Sequence, residues 1–454
     1  MGRRSAAVQG LAAMGTNENG REPSPVDQPF EMDLSLQIGK YDIRRQLGKG
    51  ATGTVYLAVD TFSGKEVALK VIEPEVFKDP EFGSVYRSQF LNEASLAGKL
   101  KHPHIVSILD AVVQEDSGHI AMEVVGGGDL SQHVSADTLL PVGDVLQIVF
   151  KCCGALAYAF NEGIVHRDIK PANIMIAQGT EVKIADFGAA LLRKAQSVQT
   201  ASIGSPYYMS PEQLEEAPLT HHSDMYCLGV VLYELLTGQR PFMADSLQML
   251  VEKILHQQAA PPSSLRPTLP KEIDRVVLRA LGKKPEFRYE TWAEFALALS
   301  DVGKLVLPPD AIMDSEKYVA LKRVEMLSNL SDAELWELIN AGRWTRMAAK
   351  QAIVRENEPG KSFFFLAQGQ VKVTLEGHLL NTISEGESFG EMAYIRGGVM
   401  PRHATVESMT GILLAEFEPE ALDQMSLGAQ LQLTRALVRN LVDRLELANA
   451  RLAK

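Results

Sequence analysis

From Tyr41 the chain runs in short apolar bursts separated by polar and turn-forming residues, which is the pattern of strands. Tyr41–Leu47, Thr54–Asp60 and Glu66–Ile72 predict three successive strands. A helical period then appears over Arg87–Leu100, and two more strand-like runs follow at Ile105–Val112 and His119–Val125. After Gly126-Gly127-Gly128 the helical period dominates to about Val302. Its most apolar stretch, Val145–Phe160, is interrupted by Gln147 and Lys151 and reads as an amphipathic helix. Leu307-Pro308-Pro309-Asp310 breaks the pattern, because proline cannot continue a helix. From Tyr318 a second unit starts helically and passes into short runs punctuated by Gly360, Gly369, Gly377, Gly386 and Gly390. Ser362–Ala367, Gln370–Glu376 and Gly411–Phe417 predict strands there, and a last helix is expected over Pro419–Leu452. In that helix Val438, Leu441, Leu445, Ala448 and Leu452 step alternately by three and four residues. Two readings stand for this stripe: a coiled-coil seam between two copies, or a face packed on its own domain.

The pattern divides the chain into a flexible arm over 1–36, a first domain over 37–303, a linker over 304–317 and a second domain over 318–454. The arm is rich in Gly, Pro, Asn and charge and has no apolar period. Composition adds exclusions. With 46% apolar and 22% charged residues the chain is globular rather than disordered throughout. A formal net charge of −12 argues against a nucleic-acid partner, which needs a basic face. There are 3 cysteines, two of them adjacent, so no disulfide framework is expected and a reducing cytoplasm fits. No run approaches the ~20 apolar residues of a membrane helix. Arg3 and Arg4 precede a run, Ala6 to Met14, that lacks the solid apolar block of an export signal. Ala6 also stands where a myristoylation site needs Ser or Thr. Neither membrane attachment nor export is expected, and the last helix leaves no room before Lys454 for a helix-turn-helix.

Two sets of residues carry chemistry. Gly48-Lys49-Gly50-Ala51-Thr52-Gly53 lies between two predicted strands. A dinucleotide site would place a helix after such glycines, whereas Val55–Val59 is a strand, so the motif reads as a glycine hairpin over nucleotide phosphates. Lys70, closing Val67-Ala68-Leu69-Lys70, supplies a point charge for the α- and β-phosphates, and Glu93 is its natural carboxylate partner. His166-Arg167-Asp168-Ile169-Lys170-Pro171-Ala172-Asn173 and Asp186-Phe187-Gly188 follow. They offer one acid to accept a hydroxyl proton, and an Asn with a second acid to hold magnesium.

In this order the motifs resemble those of eukaryotic-type serine/threonine protein kinases, over about Tyr41 to Asp301. The resemblance implies an α+β, bilobal protein kinase fold with a β-rich N-lobe and a helical C-lobe. It implies Asp168 as the catalytic base, Lys170 beside the transferred phosphate, and Asn173 and Asp186 as ligands of magnesium, with manganese as a substitute. Gly48, Gly50, Gly53, Val55, Ala68 and Lys70 would surround ATP, with Met122 as gatekeeper and Glu123 to Val125 as the adenine hinge. Glu212 would pair with Arg288, and Asp224 would be a buried acid. Lys170 and Ser205 match the Ser/Thr pattern, and Arg167 would clamp a phosphorylated residue among Ser197, Thr200 and Ser202. His102 and His104 read as packing residues. The alternative is a folded but inactive pseudokinase, against which stand Lys70, Asp168 and Asp186.

The second set is Gly386-Glu387-Ser388-Phe389-Gly390-Glu391-Met392-Ala393 with Pro401-Arg402-His403-Ala404-Thr405-Val406. A glycine-opened turn presents backbone amides to an anion, Glu391 can accept a ribose hydroxyl, and Arg402 can pair with a phosphate. With the upstream glycines this resembles a cyclic-nucleotide-binding, cAMP receptor-like domain, a β-roll with flanking helices over about Tyr318 to Leu452. His403 replaces the small residue usual after the phosphate arginine, and the absence of a small hydroxyl there favours cAMP over cGMP. The alternative is a ligand-free docking or dimerisation scaffold, with a homodimer formed through the last helix. The combined expectation is a cytoplasmic Ser/Thr protein kinase of bacterial style, acting on protein substrates and regulated by a cyclic nucleotide.

Overall fold

The computed structural model describes residues 37–49, 53–72, 98–113, 118–187, 206–308, 311–397 and 401–452. The arm over 1–36, most of the Arg87–Leu100 helix, Gly50, Glu93, Gly188 and the loop holding Ser197, Thr200, Ser202 and Ser205 lie outside the described residues.

Strands β1 (Gln37–Ile38), β2 (Tyr41–Lys49), β3 (Gly53–Asp60), β4 (Glu66–Ile72), β5 (Ile108–Val113) and β6 (Gly118–Met122) form one sheet, ordered β1-β2-β3-β4-β6-β5. Every pairing in it is antiparallel. Side chains alternate between faces with a period of two. On one face Tyr41, Ile43, Ala58, Val67, Leu69 and Ala121 pack as a core. On the other, register sets Val55, Lys70 and Ile120 in one row and Leu57, Ala68 and Met122 in the next.

The next segment is helical: α1 (Val142–Asn161), α2 (Pro211–Leu214), α3 (His221–Thr237), α4 (Leu247–His256), α5 (Pro262–Leu265), α6 (Lys271–Ala280) and α7 (Trp292–Val306). Helix α3 is bounded by a capping box at Thr220 and Ser223 and by Gly238 at φ +73°. A hairpin of β7 (Ile174–Gln178) and β8 (Glu181–Ile184) interrupts the helices. Sequence periodicity missed it because its strands are only 5 and 4 residues long. The expected amphipathic helix is corrected as well. Helix α1 is buried on nearly every side, Lys151 included. Its length and apolarity would suffice to cross a membrane, but most of it is packed inside the fold.

The expected linker over 304–317 is taken up at both ends by helix: α7 runs to Val306 and α8 (Asp314–Lys322) begins before Tyr318, so the second domain opens earlier than expected, with α8 and α9 (Asp332–Ala341). A roll follows: β9 (Arg343–Met347), β10 (Ala352–Val354), β11 (Phe363–Gln368), β12 (Gln370–Leu375), β13 (His378–Ser384), β14 (Ser388–Phe389), β15 (Thr405–Ser408) and β16 (Ile412–Phe417). The strands make two four-stranded sheets, β10-β15-β12-β13 and β14-β11-β16-β9. Helices α10 (Glu391–Ile395), α11 (Pro419–Leu422) and α12 (Leu427–Leu452) complete it. Alternation along β11 serves two cores: Phe364 and Leu366 fill the roll, while Phe363 and Phe365 meet the helices. The helix-side core also takes in Phe150 of α1, so the two domains share apolar packing.

Beside Phe150 the domains share charge. The Lys151 ammonium, inaccessible to water, lies 2.7 Å from Asp314 of α8 and also pairs with Glu181 of β8. Lys317 holds the other Asp314 oxygen at 2.7 Å. Burial pushes the Asp314 carboxyl up, but the Lys151 and Lys317 ammoniums outweigh it and hold the group below its ordinary value. A carboxyl depressed in the folded state stabilises fully above its unfolded pKa of about 4 and loses that contribution as pH falls through the lower folded value. Urea unfolding between pH 6 and pH 3 should therefore show an acid loss of stability that Asp314→Ala diminishes. At neutral pH the same substitution should cost about 1–3 kcal/mol, because it strips a buried ammonium of one partner.

Candidate active site and a second nucleotide pocket

The segment between α1 and β7 bends sharply. Arg167 sits at φ +66° and Asp186, beyond β8, at φ +59°, left-handed conformations that cost a non-glycine residue free energy and persist only where neighbours hold them. The holder for Arg167 is the fully buried Asp224 of α3. Its two oxygens accept the His166 amide at 2.7 Å and the Arg167 amide at 2.6 Å. Burial pushes the Asp224 carboxyl up, while these amides and the Arg167 charge oppose it. Gln213, which the sequence reading did not single out, donates to the Arg167 carbonyl at 2.7 Å. On the Asp186 side, His166 Nε2 donates to the Ala185 carbonyl at 2.9 Å while its Nδ1 accepts the Asp168 amide at 3.2 Å. Those two bonds define the neutral Nε2–H tautomer. Phe187 packs edge-on against the same ring, with centroids 4.7 Å apart.

This frame brings the sequence-selected residues into two contacts. Lys170 Nζ lies 2.7 Å from Asp168 Oδ2, and Asn173 Nδ2 donates to the Asp168 carbonyl at 2.7 Å and to Oδ2 at 3.2 Å. Lys70 Nζ reaches across from β4 to Asp186 Oδ1 at 2.8 Å, and this ammonium is the main cause holding the Asp186 carboxyl below its ordinary range. Asn173 has its amide nitrogen committed, so its side-chain oxygen is the atom left for a cation. Among the described residues no group of three His, Cys, Asp or Glu is placed to hold a metal. Asn173 with Asp186 suits magnesium, which takes few protein ligands and fills its octahedron with waters and phosphate oxygens.

Val55, Ala68, Lys70 and Met122 lie on the sheet face opposite the β-rich core, with Gly48 paired to Val55. Glu123 follows β6. Its amide donates to the Ser107 carbonyl at 3.0 Å, and its carboxylate accepts the Ser107 amide at 2.7 Å and Lys183 at 2.9 Å. Val125 is half-buried just beyond. Farther off, Arg288 forks onto Glu212 at 2.6 and 2.8 Å and braces the segment that follows the loop.

In the second domain Arg402 is buried. Its guanidinium donates to the Ser362 carbonyl at 2.7 Å and to Ser362 Oγ at 3.0 Å. A Cβ at Gly360 would meet Arg402 Nε at 2.4 Å, and one at Gly390 would meet Nη1 at 2.9 Å, so these two glycines make room for the side chain. Gly390, at φ +85°, opens α10 directly before Glu391. Glu391 is buried too, but it is already engaged. Ser388 Oγ donates to it at 2.6 Å, Arg444 of α12 pairs with it at 3.1 Å, and Asn440 donates at 3.4 Å. Asn440 and Arg444 escaped the sequence reading. The available signal was their four-residue spacing on one helix face. His403 is exposed.

The last helix packs on its domain through residues other than the expected stripe, of which Leu441 is half-buried. Leu433, Ala436 and Leu437 pack on the domain, whereas Val438 and Leu445 of the expected seam face solvent with Leu431 and Val442.

Comparison with known proteins finds two family matches. Residues 41–296 match the protein kinase domain family and residues 344–427 the cyclic nucleotide-binding domain family. Serine/threonine-protein kinase PknB of Mycobacterium leprae is 36% identical over 328 residues, 68% of this chain and 52% of that protein. Serine/threonine-protein kinase PrkC of Bacillus subtilis is 39% identical over 257 residues, 56% of this chain and 39% of that protein. The chain spans about half the length, or less, of the curated relatives it matches.

Proposed function

The chain belongs to the protein kinase family and carries a C-terminal cyclic nucleotide-binding domain, and from that premise we propose that it transfers phosphate from ATP to serine and threonine hydroxyls of proteins, under control of a cyclic nucleotide. The observation that carries the proposal is the pair of contacts Asp168–Lys170–Asn173, within one short loop, and Lys70–Asp186, which joins residues far apart in sequence. Asp168 accepts the proton of the attacking hydroxyl. Lys170, already on the Asp168 carboxylate, sits where it can meet the transferred phosphate. Lys70 positions the α- and β-phosphates, and the backbone of Glu123 to Val125 receives adenine behind Met122. Magnesium, or manganese in its place, would be held by Asn173 and Asp186 and would neutralise triphosphate charge. Three cysteines, all buried as free thiols, support a cytoplasmic setting. The exposed Leu431, Val438, Val442 and Leu445 stripe supports a homodimer through α12.

For the second domain the buried Arg402, with glycines cleared around it, supports a cyclic nucleotide, with cAMP favoured. One observation favours the second reading, a ligand-free scaffold: Glu391 is already paired with Arg444 of the last helix. A ligand that uses Glu391 for its ribose must share or displace that contact.

Asp168→Asn should lower phosphate transfer to a generic Ser/Thr substrate by about 10²-fold or more, with ATP affinity nearly kept. Wild-type rates in a contaminant-free preparation would remove Asp168 from the chemistry. Calorimetry on the full chain should find cAMP binding that Arg402→Ala weakens by about 10- to 100-fold, the range for a charge-assisted hydrogen bond. No binding of cAMP or cGMP by the wild type selects the scaffold reading.

A further inference from the structure

The interface between the domains grips one short strand of the catalytic frame. Trp336 of α9 is buried, edge-on to the His104 ring with centroids 4.9 Å apart, and it also touches Phe150 and stacks on Tyr318. His104 in turn is bonded to β8 twice. Its Nδ1 lies 3.0 Å from the Val182 carbonyl, and its own carbonyl accepts the Ile184 amide at 2.9 Å. The next residues continue the grip, with Val106 donating to the Ile184 carbonyl at 2.9 Å. At the start of β8, Lys151 binds Glu181 and the Thr180 carbonyl and hydroxyl, and is held from the other side by Asp314. Strand β8 ends at Ile184, and the left-handed Asp186 follows after Ala185. Ala185 is fixed on both sides, donating to the Asn173 carbonyl at 2.8 Å and accepting from His166.

We propose that Trp336 and Asp314 of the second domain are positioning residues for the active site: they clamp both ends of β8 and so set the place of Asp186. The clamp rests on the kinase reading only for its catalytic consequence; its structural part stands without it. The route is a continuous physical one. Trp336 backs the His104 ring, His104 holds Val182 and Ile184, and Asp314 backs Lys151, which holds Thr180 and Glu181. Among the described residues the Trp336 indole N–H and His104 Nε2 are buried without hydrogen-bond partners, so packing rather than a polar bond passes between these two rings. A shift of α8 or α9 relative to the first domain therefore reaches β8 directly, without passing through the sheet that carries Lys70. This gives the second domain a mechanical entry to the metal-binding carboxylate whatever ligand it holds.

The test uses the full chain and two variants, Trp336→Ala and Asp314→Asn, with Trp336→Phe as the conservative control. Amide hydrogen exchange reads the clamp without needing activity. Exchange at Ile184 and Ala185 should rise by about 2- to 30-fold in either variant, the span expected for residues along a coupling path. Exchange within α3 should stay at the wild-type level, and Trp336→Phe should recover most of the protection. In phosphate-transfer assays the same variants should need a higher magnesium concentration for half-maximal rate, which a general loss of folded protein would not produce. If Trp336→Ala does not fold, Asp314→Asn, which keeps the side-chain shape, decides alone. Wild-type exchange at Ile184 and Ala185 in a folded variant overturns the proposal, and so does a uniform rise that includes α3. Raised β8 exchange in a chain that shows no phosphate transfer even as wild type would uphold the clamp and reject the kinase reading.

Discussion

An ammonium shut off from water must keep its counter-charges, and Lys151 finds them on two distant stretches of the chain, Glu181 in the β7–β8 hairpin and Asp314 at the start of α8. Removing water from a charge costs several kcal/mol unless the replacement partners are well placed. That cost makes the arrangement specific: the hairpin, the buried helix α1 and the second domain can satisfy Lys151 only in one mutual placement. Phe150, next in sequence, adds the apolar half of the same contact by entering the second domain's helix-side core. These two adjacent residues, together with the Trp336–His104 contact, join what would otherwise be two separately packed units.

The same logic of enforced partners shapes the catalytic frame. Arg167 and Asp186 are held in left-handed conformations, and each is restrained by hydrogen bonds from outside its own segment. Asp224 and Gln213 fix the first, while Lys70 and the His166–Ala185 bond restrain the second. Strain stored at two points brings Asp168, Asn173 and Asp186 together from either side of one hairpin. In the second domain the glycines at 360 and 390 do the complementary work by leaving space in which the Arg402 guanidinium lies buried.

What the sequence disclosed follows from how local each feature is. The sheet strands and the motifs around Gly48, Lys70, Asp168 and Asp186 are written in contiguous residues, and the fold places them on one face and around one hairpin. The cyclic nucleotide-binding segment was legible for the same reason. Lys151 misled, because a lysine in a helical pattern reads as a solvated face until another domain covers it. His104 and Trp336 sit more than two hundred residues apart, so nothing in either neighbourhood announces their contact. Asn440 and Arg444 were hidden likewise: polar residues on a long helix look like surface until the fold turns them onto Glu391.

The account holds that one chain joins phosphoryl transfer to a cyclic nucleotide-binding domain through a shared, packed interface. The most direct measurement is labelled phosphate incorporation from γ-labelled ATP into the full chain and a basic Ser/Thr substrate, with and without saturating cAMP or cGMP. The account predicts metal-dependent label on serine and threonine, and a rate that changes by about 5- to 150-fold on nucleotide binding, the usual span of coupling between two sites. A folded, ATP-binding chain that incorporates no phosphate would contradict it. So would a rate that stays the same while the cyclic nucleotide is demonstrably bound.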